Sequence, residues 1–441
     1  MQGKKDTDIL ITGIFMNHQN NASSLVALSV RDQAGALSLF NGLDTSQQRG
    51  LVHEACPEDK KELLFLAKDL SSLLDALPGR DVLLALAAAT ASEFDTLVER
   101  IGPEHLNFML AMGCWRQGAI DDGRFLHWLE VLNTCDEAVA AKAVSNIEAD
   151  FLAAALRPHF DVEGVFDEDN PDSRGEAEAF SFTPDYCRFD NDIVEDFMTR
   201  LFETDRTLFA LVCHKRVYEN PDEILESARL AYSLRLKKEG LPTYEEAVEV
   251  YEKGWDILQK ADMVKKSSGK TVVSHGGTDL FLARVMDRIH RSGKGGPFLA
   301  HDFSGLLQKI SIADGGEMDT IGRQRTVKKA ELYASLGLEN ASKGDVGKGA
   351  ELLLTNGITG FFKAGHDMIS GLRERANQIV KYSGDGELDK IGMKERAVLE
   401  NAALEMPRIM AENGKSRMLR TEKEYDLLMK AVETIGDTFS S

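Results

Sequence analysis

Residues 67–90 read AKDLSSLLDALPGRDVLLALAAAT, and residues 91–114 read ASEFDTLVERIGPEHLNFMLAMGC. Laid over one another, the two stretches match apolar with apolar: Leu70 on Phe94, Leu73 on Leu97, Leu74 on Val98, Leu77 on Ile101, Val82 on Leu106, Ala85 on Met109 and Leu86 on Leu110. Apolar residues three and four apart share one face of a helix. The dipeptides Pro78-Gly79 and Gly102-Pro103 break each stretch in two. The unit is therefore a pair of short helices with a period of 24 residues. A looser echo at 137–157, EAVAAKAVSNIEADFLAAALR, resumes the spacing with Val144, Ile147, Leu152 and Leu156. Such hairpins cannot bury an apolar face alone, so they stack.

This reading organises the rest of the chain. The fold class expected is mainly α: an N-terminal arm (1–44), a helical-repeat superhelix (45–160), an acidic linker with one small β-hairpin (161–191), and a C-terminal helical bundle (192–441). The hairpin is expected in AFSFTPDYCRF, residues 179–189, where apolar residues alternate around Pro184-Asp185. Within the bundle, residues 228–254 and 331–357 read like single tetratricopeptide-type hairpins without a tandem array.

The composition limits the function. A net charge of −20 over 441 residues argues against nucleic acid or an anionic membrane as the main partner, because like charges repel. Residues 323–420 run the other way, with 17 Lys/Arg against 13 Asp/Glu, which reads as a solvated helical surface. Cys56, Cys114, Cys135, Cys187 and Cys213 are scattered and never spaced C-x-x-C, as expected of thiols in a reducing compartment. The longest apolar run, Val82 to Ala91, falls well short of the roughly 20 residues that span a bilayer. Asp6 and Asp8 interrupt the apolar N-terminal stretch, and no small-residue cleavage site follows, so no signal peptide is read there. The expectation is a cytoplasmic protein without a transmembrane segment.

Several chemistries can be tested on spacing. Gly269-Lys270-Thr271, in VKKSSGKTVVSHGGTD (264–279), resembles the end of a phosphate loop, but Val264 stands where the first glycine belongs. The preceding apolar residues are spaced like a helix, and the stretch reads as a polar loop. RSGKGGPFLAHD (291–302) likewise follows a helix and not a strand. Asp167, Asp169 and Asp172 invite a calcium loop, yet the glycine position holds Asp172. No HExxH, G-x-S-x-G or GxGxxG occurs, and the ten histidines lack metal-ligand spacing. No catalytic residue, metal ligand or cofactor is assigned.

The densest group of informative side chains is Trp115, Arg116, Arg124, His127 and Trp128. An arginine beside two indoles could clamp an anionic or aromatic ligand. Against that, Trp128, Leu129 and Leu132 follow helical core spacing, and Arg116 could pair with Asp121 or Asp122; packing is the favoured reading. His366-Asp367 would be a base held by a carboxylate, but adjacent helical residues diverge by about 100°. His366 and Arg373, at i and i+7, share a face that would suit an anion. The ligand-site candidates are thus Trp115, Arg116, Arg124, Trp128, His366 and Arg373.

CWRQGAIDDGRFLHWLEVL (114–132), ARLAYSLRLKKEGLPTYEEAVEVY (228–251), LGLENASKGDVGKGAELL (336–353), FFKAGHDMISGLRERA (361–376) and EMPRI (405–409) occur in an order that resembles an uncharacterised bacterial family, number 6178 among the domains of unknown function. The resemblance spans nearly all of the chain after residue 45 and implies no established activity. Gly118 and Gly123 depart from its pattern, which implies a looser link from Trp115 to Trp128. Residues 57–160 also resemble the helical superhelix of MgtE-type magnesium transporters, without their membrane domain. The function expected is a scaffold that binds a protein partner. The alternative is a ligand- or divalent-metal-responsive regulator, and an enzyme using the glycine-rich segment 267–296 ranks last.

Overall fold

A computed structural model describes residues 18–135, 137–162, 182–252, 280–293, 296–315, 320–382, 392–410 and 415–440. The phosphate-loop-like stretch 264–279 and the calcium-like run 167–178 lie outside the described residues. The chain is mainly α, with 22 α-helices and three two-stranded antiparallel ribbons among the described residues. None of these helices is long and apolar enough to cross a membrane. The chain divides into two compact units, Met1–Thr243 with Asp314–Thr320, and Tyr244–Ala313 with Ile321–Ser441.

The first unit opens with α1 (His18–Arg31), α2 (Gln33–Asn41), α3 (Thr45–Glu54), α4 (Pro57–Phe65), α5 (Leu70–Ala76), α6 (Gly79–Ala87), α7 (Ala91–Arg100) and α8 (Pro103–Cys114). Helices α1 and α2 pack on each other, and α1 packs on α3 and α4. Each start is set locally. Asp44 and Gln47 form a reciprocal capping box on α3. Asp69 caps α5, and Pro57 and Pro103 occupy first-turn positions where a missing N–H costs nothing. The matched apolar positions are buried in pairs: Leu73 and Leu97, Leu74 and Val98, Leu77 and Ile101, Val82 and Leu106, Ala85 and Met109, Leu86 and Leu110. Alternate helices lie against each other in two rows, α4–α6–α8 and α3–α5–α7.

After α8 come β1 (Trp115–Arg116), β2 (Ala119–Ile120), α9 (Asp122–Thr134), α10 (Glu137–Val144), α11 (Ala149–Leu156), β3 (Phe160–Val162), β4 (Cys187–Phe189), α12 (Asp192–Thr204), α13 (Arg206–Tyr218) and α14 (Pro221–Lys238). Two details correct the sequence reading. The strand at 187–189 exists, but it pairs with β3, Phe160 opposite Phe189, while Pro184–Tyr186 is a 3-10 turn. Local alternation showed that a strand forms and could not show its distant partner. Secondly, the segment from Trp115 to Trp128 is a tight connection and not a loose one. Gln117 (φ 51°) and Gly118 (φ 78°) both take positive φ, as the two-residue hairpin turn between β1 and β2 demands. Helices α12 to α14, read as part of the C-terminal bundle, pack on helices of the first unit, α12 on α9 and both α13 and α14 on α11.

The second unit holds α15 (Tyr244–Val248), α16 (Phe281–Arg291), α17 (Gly296–Ala313), α18 (Thr320–Ser342), α19 (Val346–Asn356), α20 (Thr359–Tyr382), α21 (Met393–Ala403), β5 (Arg408–Met410), β6 (Ser416–Met418) and α22 (Glu422–Ser440). The expected hairpin at 228–254 is divided between the units, with α14 in the first and α15 in the second. Helix α19 packs on α16, while α20, α21 and α22 pack on one another. Helices α18 and α20 cross in close contact. A Cβ on Gly337 would overlap the carbonyl oxygen of Phe361, and one on Gly365 would overlap that of Tyr333. Backbone meets backbone there, and Tyr333, Leu336, Phe361 and Phe362 are buried around the crossing.

Candidate functional site

The first group of predicted residues is assembled by the β1–β2 hairpin and the start of α9, where Asp121 caps the helix by accepting from the Arg124 amide at 3.0 Å. Trp115 is buried, its indole stacked on Tyr232 with centroids 5.1 Å apart and planes at 2°. Trp128 lies against Gly113, where any Cβ would strike the indole nitrogen, and its ring is 6.3 Å from that of Phe94. Arg116 sits 3.8 Å from Asp121, and its aliphatic stem lies over Gly315. Arg124 donates to the Gly315 carbonyl at 3.1 Å. Structure thus brings Trp115, Arg116 and Arg124 to one region, where indoles pack on side chains and both guanidiniums engage protein groups.

His366 and Arg373 are on α20 in the other unit. His366 places Nε2 3.1 Å from the Ser370 hydroxyl, one turn on, and only approaches its neighbour Asp367 to 4.0 Å. Arg373 donates from Nε to the Ala403 carbonyl at the end of α21, 3.2 Å away. The imidazole lies beside the rings of Tyr251 and Tyr333, at 4.9 and 5.9 Å. Those two rings also face the buried Lys329 ammonium, which meets Glu405 at 2.5 Å; Arg325 reaches the other carboxylate oxygen at 2.6 Å. Tyr333 donates its hydroxyl to the Glu405 carbonyl at 2.7 Å. Burial alone would raise the Glu405 pKa, but the Lys329 and Arg325 cations outweigh it and hold the carboxyl below its ordinary range. Sequence reasoning missed Lys329 because a charged residue between helical positions reads as surface.

The base-and-carboxylate arrangement sought at His366-Asp367 exists elsewhere. In the first unit His53 Nδ1 lies 2.6 Å from Asp81 Oδ2, and Lys60 Nζ lies 3.0 Å from Asp81 Oδ1. Lys60 also donates to the carbonyls of Val52 and His53 at 2.6 and 2.7 Å, which neutralises the end of α3. Asp81 and Lys60 are buried while the His53 side chain is 42% exposed, so one ring nitrogen is oriented by the carboxylate. The two partners are 28 residues apart, and no spacing rule would have joined them. None of the five cysteines is in a disulfide. The interaction of the Cys187 and Cys213 thiols pulls Cys187 down and, together with burial, drives Cys213 up. Among the described residues no group of three or more His, Cys, Asp or Glu could hold a metal ion.

A last feature belongs to α14. Its buried stripe is Ile224, Ala228, Tyr232 and Leu236. Residues two positions away are about 200° round a helix, so Leu230 and Leu234 occupy the opposite face, 60% and 59% exposed. On α13, which precedes it in the chain, Leu211 and Tyr218 are also exposed, and they lie two turns apart on one face.

Comparison with the curated proteins and with the solved structures returned no match. A family model described as "Family of unknown function (DUF6178)" matches residues 38–436, which takes in both compact units and every cluster above. The chain belongs to that family, DUF6178.

Proposed function

We propose that this chain is a protein-interaction scaffold of the cytoplasm and that it binds a partner protein through the exposed face of α14 that carries Leu230 and Leu234. The observation that carries this is the exposure of Leu230 and Leu234 one turn apart, on the face opposite the stripe that fastens α14 to its own unit. Burying a leucine is worth about 1.5–3 kcal/mol, and a soluble surface gains nothing from leaving two adjacent leucines in water. Stacked short helices of the kind formed by α3 to α8 support the reading, since such arrays present extended surfaces. Free thiols support the reducing compartment.

The test compares native chain with Leu230→Asp/Leu234→Asp, each used to capture proteins from the cells that make it. A partner recovered reproducibly by the native chain and lost by the variant, with thermal midpoints equal, is the expected result. Recovery of the same proteins by both would end the proposal.

A further inference from the structure

We propose that the second unit binds a small amphiphile, an apolar body carrying a protonated amine, in the cleft bounded by α16, α17 and α18. The cleft holds about 430 Å³, within the size of small-molecule sites. Leu282 and Met286 of α16, Leu299 and Phe303 of α17, and Ile358 ahead of α20 give it an apolar wall. Among the described residues one charged group lines it, Glu331 of α18.

Glu331 differs from the other acidic groups nearby. Asp302 is committed, accepting the Ile358 amide at 2.5 Å. Glu405 is neutralised by Lys329 and Arg325. Glu331 accepts no hydrogen bond and forms no ion pair among the described residues. Burial raises its pKa, and Lys328 only partly opposes that. A half-buried carboxyl with no partner among the described residues, set beside a hydrocarbon wall, is the complement of a cation on a hydrocarbon body. A carboxylate ligand would meet repulsion, and a purely apolar one would cover the acid without pairing it. This inference is independent of the partner surface, which lies on the other unit.

The full-length chain is titrated calorimetrically at neutral pH with octylamine, octanol and octanoate, and with butylamine. Octylamine is expected to bind tighter than octanol by about tenfold or more, the difference made by a charged hydrogen bond. Each methylene lost toward butylamine should weaken binding by about fourfold at most. Glu331→Gln keeps the shape and should abolish the amine preference while leaving octanol affinity in place. Met286→Trp should fill the cleft and weaken both ligands, with helicity checked by circular dichroism. Equal binding of octylamine and octanol, tightest binding of octanoate, an amine preference that survives in Glu331→Gln, or no saturable binding would each overturn the proposal.

Discussion

Lys60 and Asp81 face each other at 3.0 Å with both side chains almost wholly withdrawn from water, inside a row of helices otherwise held by leucine and alanine. The ammonium spends its protons on Asp81 and on two carbonyls at the end of α3, and Asp81 gives its second oxygen to His53. Every strong donor and acceptor in the knot is used, the condition under which buried charge is tolerated.

Removing one member is therefore expected to cost far more than removing both. Asp81→Asn should lower unfolding free energy by about 3–5 kcal/mol, because it takes the carboxylate away from the buried Lys60 ammonium. Lys60→Met with Asp81→Leu should cost much less. Urea denaturation of the three proteins decides it; equal losses in the single and double variants would show that the pair does not act as a unit.

The α18–α20 crossing makes a sharper contrast within one helix. Gly365→Ala must push α20 off the Tyr333 carbonyl and should destabilise by about 1–3 kcal/mol or more, as overpacking does. Gly371, further along the same helix, has open space around it, so Gly371→Ala should stabilise by about 0.5–1 kcal/mol through helix propensity alone. Thermal midpoints moving in opposite directions are the expected signature.

Glu405 sets a pH dependence. Its folded pKa lies below the ordinary glutamate value through Lys329 and Arg325. A depressed acid contributes stability that is complete above its unfolded pKa, near about 4.3, and that is lost as pH falls through the folded value. The stability gap between native chain and Glu405→Gln should be flat from neutral pH down to about 5 and should narrow below that. A gap that widens on acidification would contradict the assigned sign.

Trp115 and Tyr232 join the end of the stacked helices to α14. Trp115→Ala should cost about 3–5 kcal/mol, and the cycle with Tyr232→Ala should return a coupling of about 0.5–1.5 kcal/mol for the stacked pair. If Trp115 instead served chiefly a ligand, the substitution would leave stability nearly unchanged.

What the sequence disclosed follows from the range of each physical rule. Helical periodicity acts over four residues, so Leu73 with Leu97 and Val82 with Leu106 could be paired by eye, and the breaks at Pro78 and Gly102 fall where helices α5–α6 and α7–α8 part. Strand pairing acts at a distance, so Cys187–Phe189 was legible as a strand while Phe160–Val162 was not legible as its mate. Charged residues were hardest. Lys60, Asp81 and Lys329 look like solvent-facing positions until the partners that justify their burial are supplied by other helices. The same limit held for His366: its helix and face were readable, whereas Tyr251 and Tyr333 beside it, and the Glu405 that Tyr333 reaches, come from three separate places in the chain.

The first unit takes its last residues, 314–320, from far beyond its main span, and Gly315 among them receives Arg124. On the ribosome, α15, α16 and α17 are thus synthesised before the first unit has all of its chain. Maturation of the two halves is interleaved in time, and a polypeptide stopped at residue 243 would leave Arg124 without the carbonyl that fastens it.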